Sequence, residues 1–126
     1  MTAKILVVDD EPDVELLIRL RYRKQIGSGE YAFVFARNGE EALRELERDD
    51  GFAVVLTDLN MPVMDGLVMT ERVRANPRTA AMPVLMVTTE SSETMREKGR
   101  AAGATGWITK PYAPQKLVAV MRRICQ

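Results

Sequence analysis

The sequence predicts a doubly wound α/β fold built on a parallel sheet, and three observations predict it. Apolar stretches alternate with amphipathic helical stretches in five units of roughly 25 residues each. The apolar stretches are continuous and rich in β-branched residues, as strands covered on both faces require. Two of them break off at acids: Ile5-Leu6-Val7-Val8 at Asp9 and Asp10, and Val54-Val55-Leu56-Thr57 at Asp58. Right-handed crossovers between parallel strands put such strand ends on one rim, where ligands of open α/β sheets sit.

The first strand spans residues 5–8, and Pro12 stands where the first turn of a helix tolerates proline. Val14, Leu17, Ile18 and Arg21 fall on one stripe, so the first helix is expected to run to about Gln25, before Gly27-Ser28-Gly29. Residues 31–36 form the second strand. Asn38 and Glu41 have capping-box spacing, and Ala42, Leu43 and Leu46 give the second helix its inner face. The third strand spans 53–57. Asp65-Gly66 turns the chain into a third helix carrying Leu67, Met69, Thr70 and Val73, which ends near Asn76-Pro77. The fourth strand spans 83–88. Ser91 and Ser92 are cap candidates for a fourth helix ending near Ala102, before Gly103. A short fifth strand, 106–109, precedes a fifth helix opened by Ala113-Pro114, with Leu117, Val118, Met121, Ile124 and Cys125 on one face.

Composition narrows the chemistry. The chain has 126 residues, 46% of them hydrophobic, and is expected to be one domain over 1–126 without an output domain. No apolar run is long enough to cross a membrane, and Met1 to Lys4 lead straight into a strand rather than a signal peptide. Eighteen basic and 18 acidic residues balance to zero, which argues against a nucleic-acid surface. A lone cysteine, Cys125, fits the cytoplasm. With no histidine, a zinc site is disfavoured and any metal would take oxygen ligands. The same absence excludes a phosphohistidine on this chain and any Ser-His or Cys-His acyl chemistry.

If the first and third strands are neighbours, Asp9, Asp10 and Asp58 converge. Two carboxylates about 4 Å apart repel by roughly 4 kcal/mol at an effective dielectric of 20, so three call for a cation. A hard divalent ion held by a few carboxylates and waters suits an open rim, and Mg²⁺ (or Mn²⁺) then calls for phosphate oxygens. A carboxylate beside such an ion can attack a phosphoryl group. Lys110, after the fifth strand, is the candidate cation for the far side of that group, and Thr88, ending the fourth strand, a hydroxyl donor. Taken singly, each residue has a plainer role: Asp9 and Asp10 as caps of the first helix, Asp58 as a loop acid, Thr88 as a strand-end cap, Lys110 as a solvated head on an apolar stem. Their joint placement at the ends of four strands favours the site.

The motifs VVDDEP at 7–12, LTDLNMPVMDG at 56–66, VTTE at 87–90 and GWITKPY at 106–112 make the chain resemble the receiver domain of two-component response regulators, from about Lys4 to Ile124. The resemblance implies a CheY-like, flavodoxin-like sheet in the order 2-1-3-4-5 with five helices. It implies Asp58 as phosphoacceptor, Asp10 as direct Mg²⁺ ligand, Asp9 acting through water, and the backbone carbonyl of Asn60 completing the coordination. Lys110 matches the lysine that bonds the phosphoryl group, Thr88 the switch hydroxyl and Trp107 the switch aromatic, a position where chemotaxis regulators usually carry tyrosine. Asn60 and Glu90 match residues flanking the attacking water, and Thr89, bulkier than the usual alanine or glycine, is expected to slow hydrolysis. The implied partners are a sensor histidine kinase or a histidine phosphotransfer protein upstream and a target protein on the helix 4–strand 5–helix 5 face, with chemotaxis or motility as the candidate process. The later half is closest to chemotaxis regulators. The basic first helix (Arg19, Arg21, Arg23, Lys24) and the long Gly27–Glu30 connection are more like receivers attached to signalling enzymes. That basic stripe is a candidate kinase-docking face, though a solvated helix face is the simpler reading, and Met61, Met64 and Met69 suit either a partner surface or core filling.

Three alternatives share parts of this pattern. A phosphorelay shuttle would use the same chemistry and pass the group to a histidine phosphotransfer protein. A haloacid-dehalogenase-type phosphatase needs a second acid two residues after its nucleophile, where Asn60 stands. A flavin-binding module needs a phosphate-cradling loop after the first strand, where Asp9-Asp10-Glu11 would repel the phosphate.

Overall fold

Five parallel strands form one sheet in the order β2-β1-β3-β4-β5. The strands are β1 (Ala3–Val8), β2 (Tyr31–Ala36), β3 (Val54–Thr57), β4 (Val84–Thr88) and β5 (Gly106–Thr109). Among the described residues five helices connect them: α1 (Val14–Arg21), α2 (Arg23–Gly27), α3 (Gly39–Arg48), α4 (Gly66–Ala75) and α5 (Glu93–Ala102). The computed structural model describes residues 2–49, 51–59, 61, 63–88, 93–109, 119 and 123, without the side chains of Thr88 and Thr109. The expected fifth helix and the Ser91 and Ser92 caps lie outside the described residues, apart from Ala119 and Arg123, both helical.

The central strands β1, β3 and β4 are mostly apolar because both faces are covered. Ile5, Val7, Val54, Leu56, Leu85, Val87 and Ile108 join Val14, Ile18 and Tyr22 in one core layer. Leu6, Val8, Val55 and Val84 join Ala42, Leu46, Met69 and Val73 in the other. At roughly 1.5–3 kcal/mol for each large apolar side chain removed from water, these layers dominate the folding energetics.

One expected helix is two. The stretch from Val14 breaks at Tyr22 (φ −109°, ψ 25°), and α2 follows. The reason is packing: the inner stripe is Val14, Ile18 and Tyr22, and Tyr22 is fully buried against Tyr31 and Phe33. Leu17, expected on that stripe, is 47% exposed, and Arg21 is exposed as well. Elsewhere the boundaries differ by a residue or two: β1 begins at Ala3, β3 at Val54 and β4 at Val84. The Asn38 cap is real, its Oδ1 accepting from the Glu41 N–H at 2.9 Å, while the Glu41 carboxylate reaches the Arg37 N–H rather than closing the box on Asn38. Asp65 caps α4 through the Val68 N–H at 2.9 Å.

Candidate functional site: an acidic cluster at the sheet rim

β1 lies between β2 and β3, with Val8 paired to Thr57. The residues that follow, Asp9 and Asp58, therefore leave the sheet side by side. The Asp58 N–H donates to the Val8 carbonyl at 2.8 Å, and the Asp9 N–H donates to the Ala36 carbonyl at 3.0 Å. Oxygens of Asp9, Asp10 and Asp58 lie within 4.8 Å of one another. Asp9 is buried, Asp58 half-buried and Asp10 exposed. Two unit charges at 4.8 Å repel by about 3.5 kcal/mol at an effective dielectric of 20, less where Asp10 meets water.

None of the three caps a helix. The residue before α1 is Asp13, whose side chain makes no capping bond. Asp9 Oδ1 accepts from the Glu11 N–H at 3.0 Å, and Asp58 Oδ1 accepts from the Leu59 N–H at 2.7 Å. Each carboxylate is thereby oriented by a neighbouring backbone N–H. The hollow beside Asp9 and Asp10, about 460 Å³, is lined by Glu11, Glu15 and Glu41 as well, with Arg37 the one base in its wall among the described residues. Such a field attracts cations and repels a phosphate that arrives without one.

The donor set fits a hard divalent ion. It is all oxygen, and Mg²⁺ at 2.0–2.1 Å from each ligand spans roughly 4.2 Å across its octahedron. A cluster drawn within 4.8 Å suits one or two direct carboxylates with another reaching through water.

The loop that presents Asp58 is held at many points. The buried Thr57 hydroxyl donates to the Asp58 carbonyl at 2.9 Å. The Gly66 N–H donates to the Leu59 carbonyl at 3.1 Å. A Cβ on Gly66 would stand 2.3 Å from the Asp58 carbonyl oxygen, so α4 can start there only with glycine. Val63, 77% exposed, has a φ of 67°, a left-handed conformation that β-branched residues rarely adopt. Met69 is fully buried in the core, and Met61 and Met64, half-buried, pack against the same core layer.

Thr88 is the last residue of β4 and pairs with Thr109, the last of β5, so both strands reach this rim. Lys110, which follows Thr109, lies outside the described residues, as do Asn60, Thr89 and Glu90. Trp107 lies on β5. A Cβ on Gly99 of α5 would stand 3.0 Å from the indole Cζ3, which places the ring against that helix. Its indole N–H is buried with no hydrogen-bond partner among the described residues. A groove of about 310 Å³ beside it is lined by Arg96, Arg100 and Thr105.

Sequence reasoning found the acids but not their supports. Thr57 and the close approach of Gly66 were missed, as was Arg74, whose guanidinium donates to the carbonyls of Gly103, Ala80 and Met82 and so ties α4 to the α5–β5 turn. Only the Asp-Gly pair at 65–66 hinted at any of this.

A parallel sheet of this order, with three acids where the strand order reverses, places the chain in the doubly wound class. The response regulator receiver domain model matches residues 5–122, and the chain belongs to that family. It is similar to the Vibrio cholerae chemotaxis protein CheY4, at 34% identity and a TM-score of 0.85 over 98% of this chain and 99% of that one. The receiver domain of a sensor histidine kinase from Pseudomonas aeruginosa PAO1, solved with a magnesium ion coordinated in its active-site cleft, is 26% identical with a TM-score of 0.85, covering 98% of both chains. The transcriptional regulatory protein SrrA of Staphylococcus aureus is 33% identical over 98% of this chain and 49% of that protein. The chain spans about half the length of the curated relatives it matches. No helix among the described residues is long and apolar enough to cross a membrane.

Proposed function

We propose that this receiver domain is a magnesium-dependent phosphoacceptor switch whose phosphorylated residue is Asp58. The observation that carries the reading is the convergence of Asp9, Asp10 and Asp58 oxygens within 4.8 Å at the rim. Bound there through Asp10, Asp58 and the Asn60 carbonyl, with Asp9 through water, Mg²⁺ would neutralise charge building on the equatorial phosphoryl oxygens. Asp58 Oδ forms a bond to phosphorus as the P–N bond of a phosphohistidine, or the P–O bond of a small acyl phosphate, breaks. The leaving group keeps the bonding pair, and a leaving imidazole takes its proton from solvent. The donor histidine belongs to another protein or segment, because these 126 residues contain none.

The chain's own residues then read the new group. It adds about −1.5 to −2 charges, to which the Lys110 ammonium and the Thr88 hydroxyl would respond. Movement at the end of β4 biases the packing of Trp107 beneath α5, a shift between two populations driven by contacts made only with phosphate. The α5–β5 face and the segment that follows would dock a target protein, with Arg96 and Arg100 suited to acidic groups there. The domain catalyses only its own phosphorylation and dephosphorylation, the latter tuned by Asn60, Thr89 and Glu90, and works in the cytoplasm. Incubated with a small acyl phosphate and magnesium, the protein should gain one phosphoryl group, and Asp58→Asn should gain none. Undiminished labelling of Asp58→Asn refutes the assignment.

A further inference from the structure

We infer that Gly39 is a positioning residue for the Asp58 carboxylate, acting through the loop between β3 and α4; the inference rests on the magnesium-site reading above. Gly39 opens α3. Its N–H donates to the Met64 carbonyl at 2.9 Å. A Cβ at this position would stand 2.8 Å from Met64 Cγ, 2.8 Å from Met69 Cβ and 2.9 Å from the Met64 carbonyl oxygen. Two of these three atoms are backbone or Cβ and cannot swing aside. The φ of Gly39 is not in the left-handed region, so the demand is for space rather than for backbone freedom.

From this contact a short rigid path leads to the acid. Met69 sits in the first turns of α4, whose first residue, Gly66, is pressed against the Asp58 carbonyl. Gly66 also donates its N–H to Leu59, and the Leu59 N–H fixes Asp58 Oδ1. α3 cannot yield instead, because Asn38 caps it and Ala42, one turn on, is fully buried. A methyl group at position 39 must therefore move the Met64 carbonyl, the start of α4, or both. Either displacement arrives at Asp58, where a carboxylate shared with a cation tolerates little misplacement.

The test compares wild type, Gly39→Ala and Val73→Ala. Val73 is fully buried at the far end of α4, so its truncation costs stability without touching the loop. Magnesium binding is measured by calorimetry, and amide exchange at Leu59 and Gly66 is measured without metal. Gly39→Ala should bind magnesium about tenfold more weakly, the scale on which the supports of metal ligands act. Its Leu59 and Gly66 amides should exchange faster. Val73→Ala should match wild type in both respects. The double variant Gly39→Ala/Met64→Ala, which frees the space at Met64 Cγ, should regain part of the affinity, and it provides a folded protein should Gly39→Ala not fold. Wild-type affinity and exchange in Gly39→Ala, equal losses in Val73→Ala, or no recovery in the double variant would each overturn the inference. Were wild type itself to take up no magnesium, the proposed function would fall, and the metal-free exchange rates would still decide the role of Gly39.

Discussion

The two loops that deliver carboxylates to the rim are built differently. The loop after β3 is held by the Thr57 hydroxyl, by the Asp58, Leu59 and Gly66 amides, by the Asp65 cap, and by the Gly39 N–H on the Met64 carbonyl. Among the described residues, the backbone N–H groups of the loop after β1 show the Asp9 N–H on Ala36, the Glu11 N–H on the Asp9 carboxylate, and a long bond from the Val14 N–H to the Glu11 carbonyl at 3.2 Å. Asp13 ends it without a side-chain cap, and Asp10 faces water. The difference teaches a division of labour. Asp58, which must meet phosphorus in line, is fixed before any ligand arrives. Asp10, which needs only to reach a cation, is left free to adjust.

The largest way to break that contrast is at the base of the fixed loop. Gly66→Ala puts a Cβ 2.3 Å from a backbone oxygen, and should destabilise the protein by about 3 kcal/mol or more, read from urea unfolding. An alanine tolerated without loss would show that the loop yields, and the contrast would fail.

A smaller effect sharpens the view of the β1 side, where α1 and α2 are anchored by Tyr22. Burial, assisted by Tyr31 and opposed by Arg21, raises the Tyr22 hydroxyl from its ordinary 10.0 to about 12. The unfolded chain ionises first, so the folded state holds a proton the unfolded state has lost between those values. Stability is therefore complete below about pH 10 and falls as pH climbs toward 12. The hydroxyl has no hydrogen-bond partner among the described residues. Tyr22→Phe should stabilise the fold by roughly 1 kcal/mol at neutral pH and shift alkaline unfolding, followed by circular dichroism, to higher pH.

The smallest effect lies at the apex of the fixed loop. Val63→Asn keeps the left-handed conformation with a residue that tolerates it, and should raise stability by about 0.5–1 kcal/mol. Because Val63 is exposed, little packing is lost. Unchanged or reduced stability would show that the loop stores no strain there.

Much of this was legible in the sequence, for physical reasons. Continuous apolar runs ending in acids specify buried parallel strands and what they deliver, so β1, β3, Asp9, Asp10 and Asp58 could be read directly. The break at Tyr22 could not: helical periodicity runs through Val14 and Ile18 into Tyr22, and only the aromatic packing of β2 shows why the chain turns there. Gly39 was equally silent. A glycine needed for space looks in sequence like any residue after an N-cap, and its neighbours Met64 and Met69 lie far along the chain. The same holds for Arg74, whose carbonyl partners come from two separate connections, Ala80 and Met82 before β4 and Gly103 after α5.

The central claim is that one carboxylate among the three accepts a phosphoryl group, and only with a divalent ion in place. Borohydride reduction of the acyl phosphate, followed by peptide mapping, locates the acceptor. After incubation with a small acyl phosphate, the reduced residue should be Asp58 when magnesium is present and no residue when it is chelated. Reduction at another acid, or at Asp58 regardless of the ion, would contradict the account.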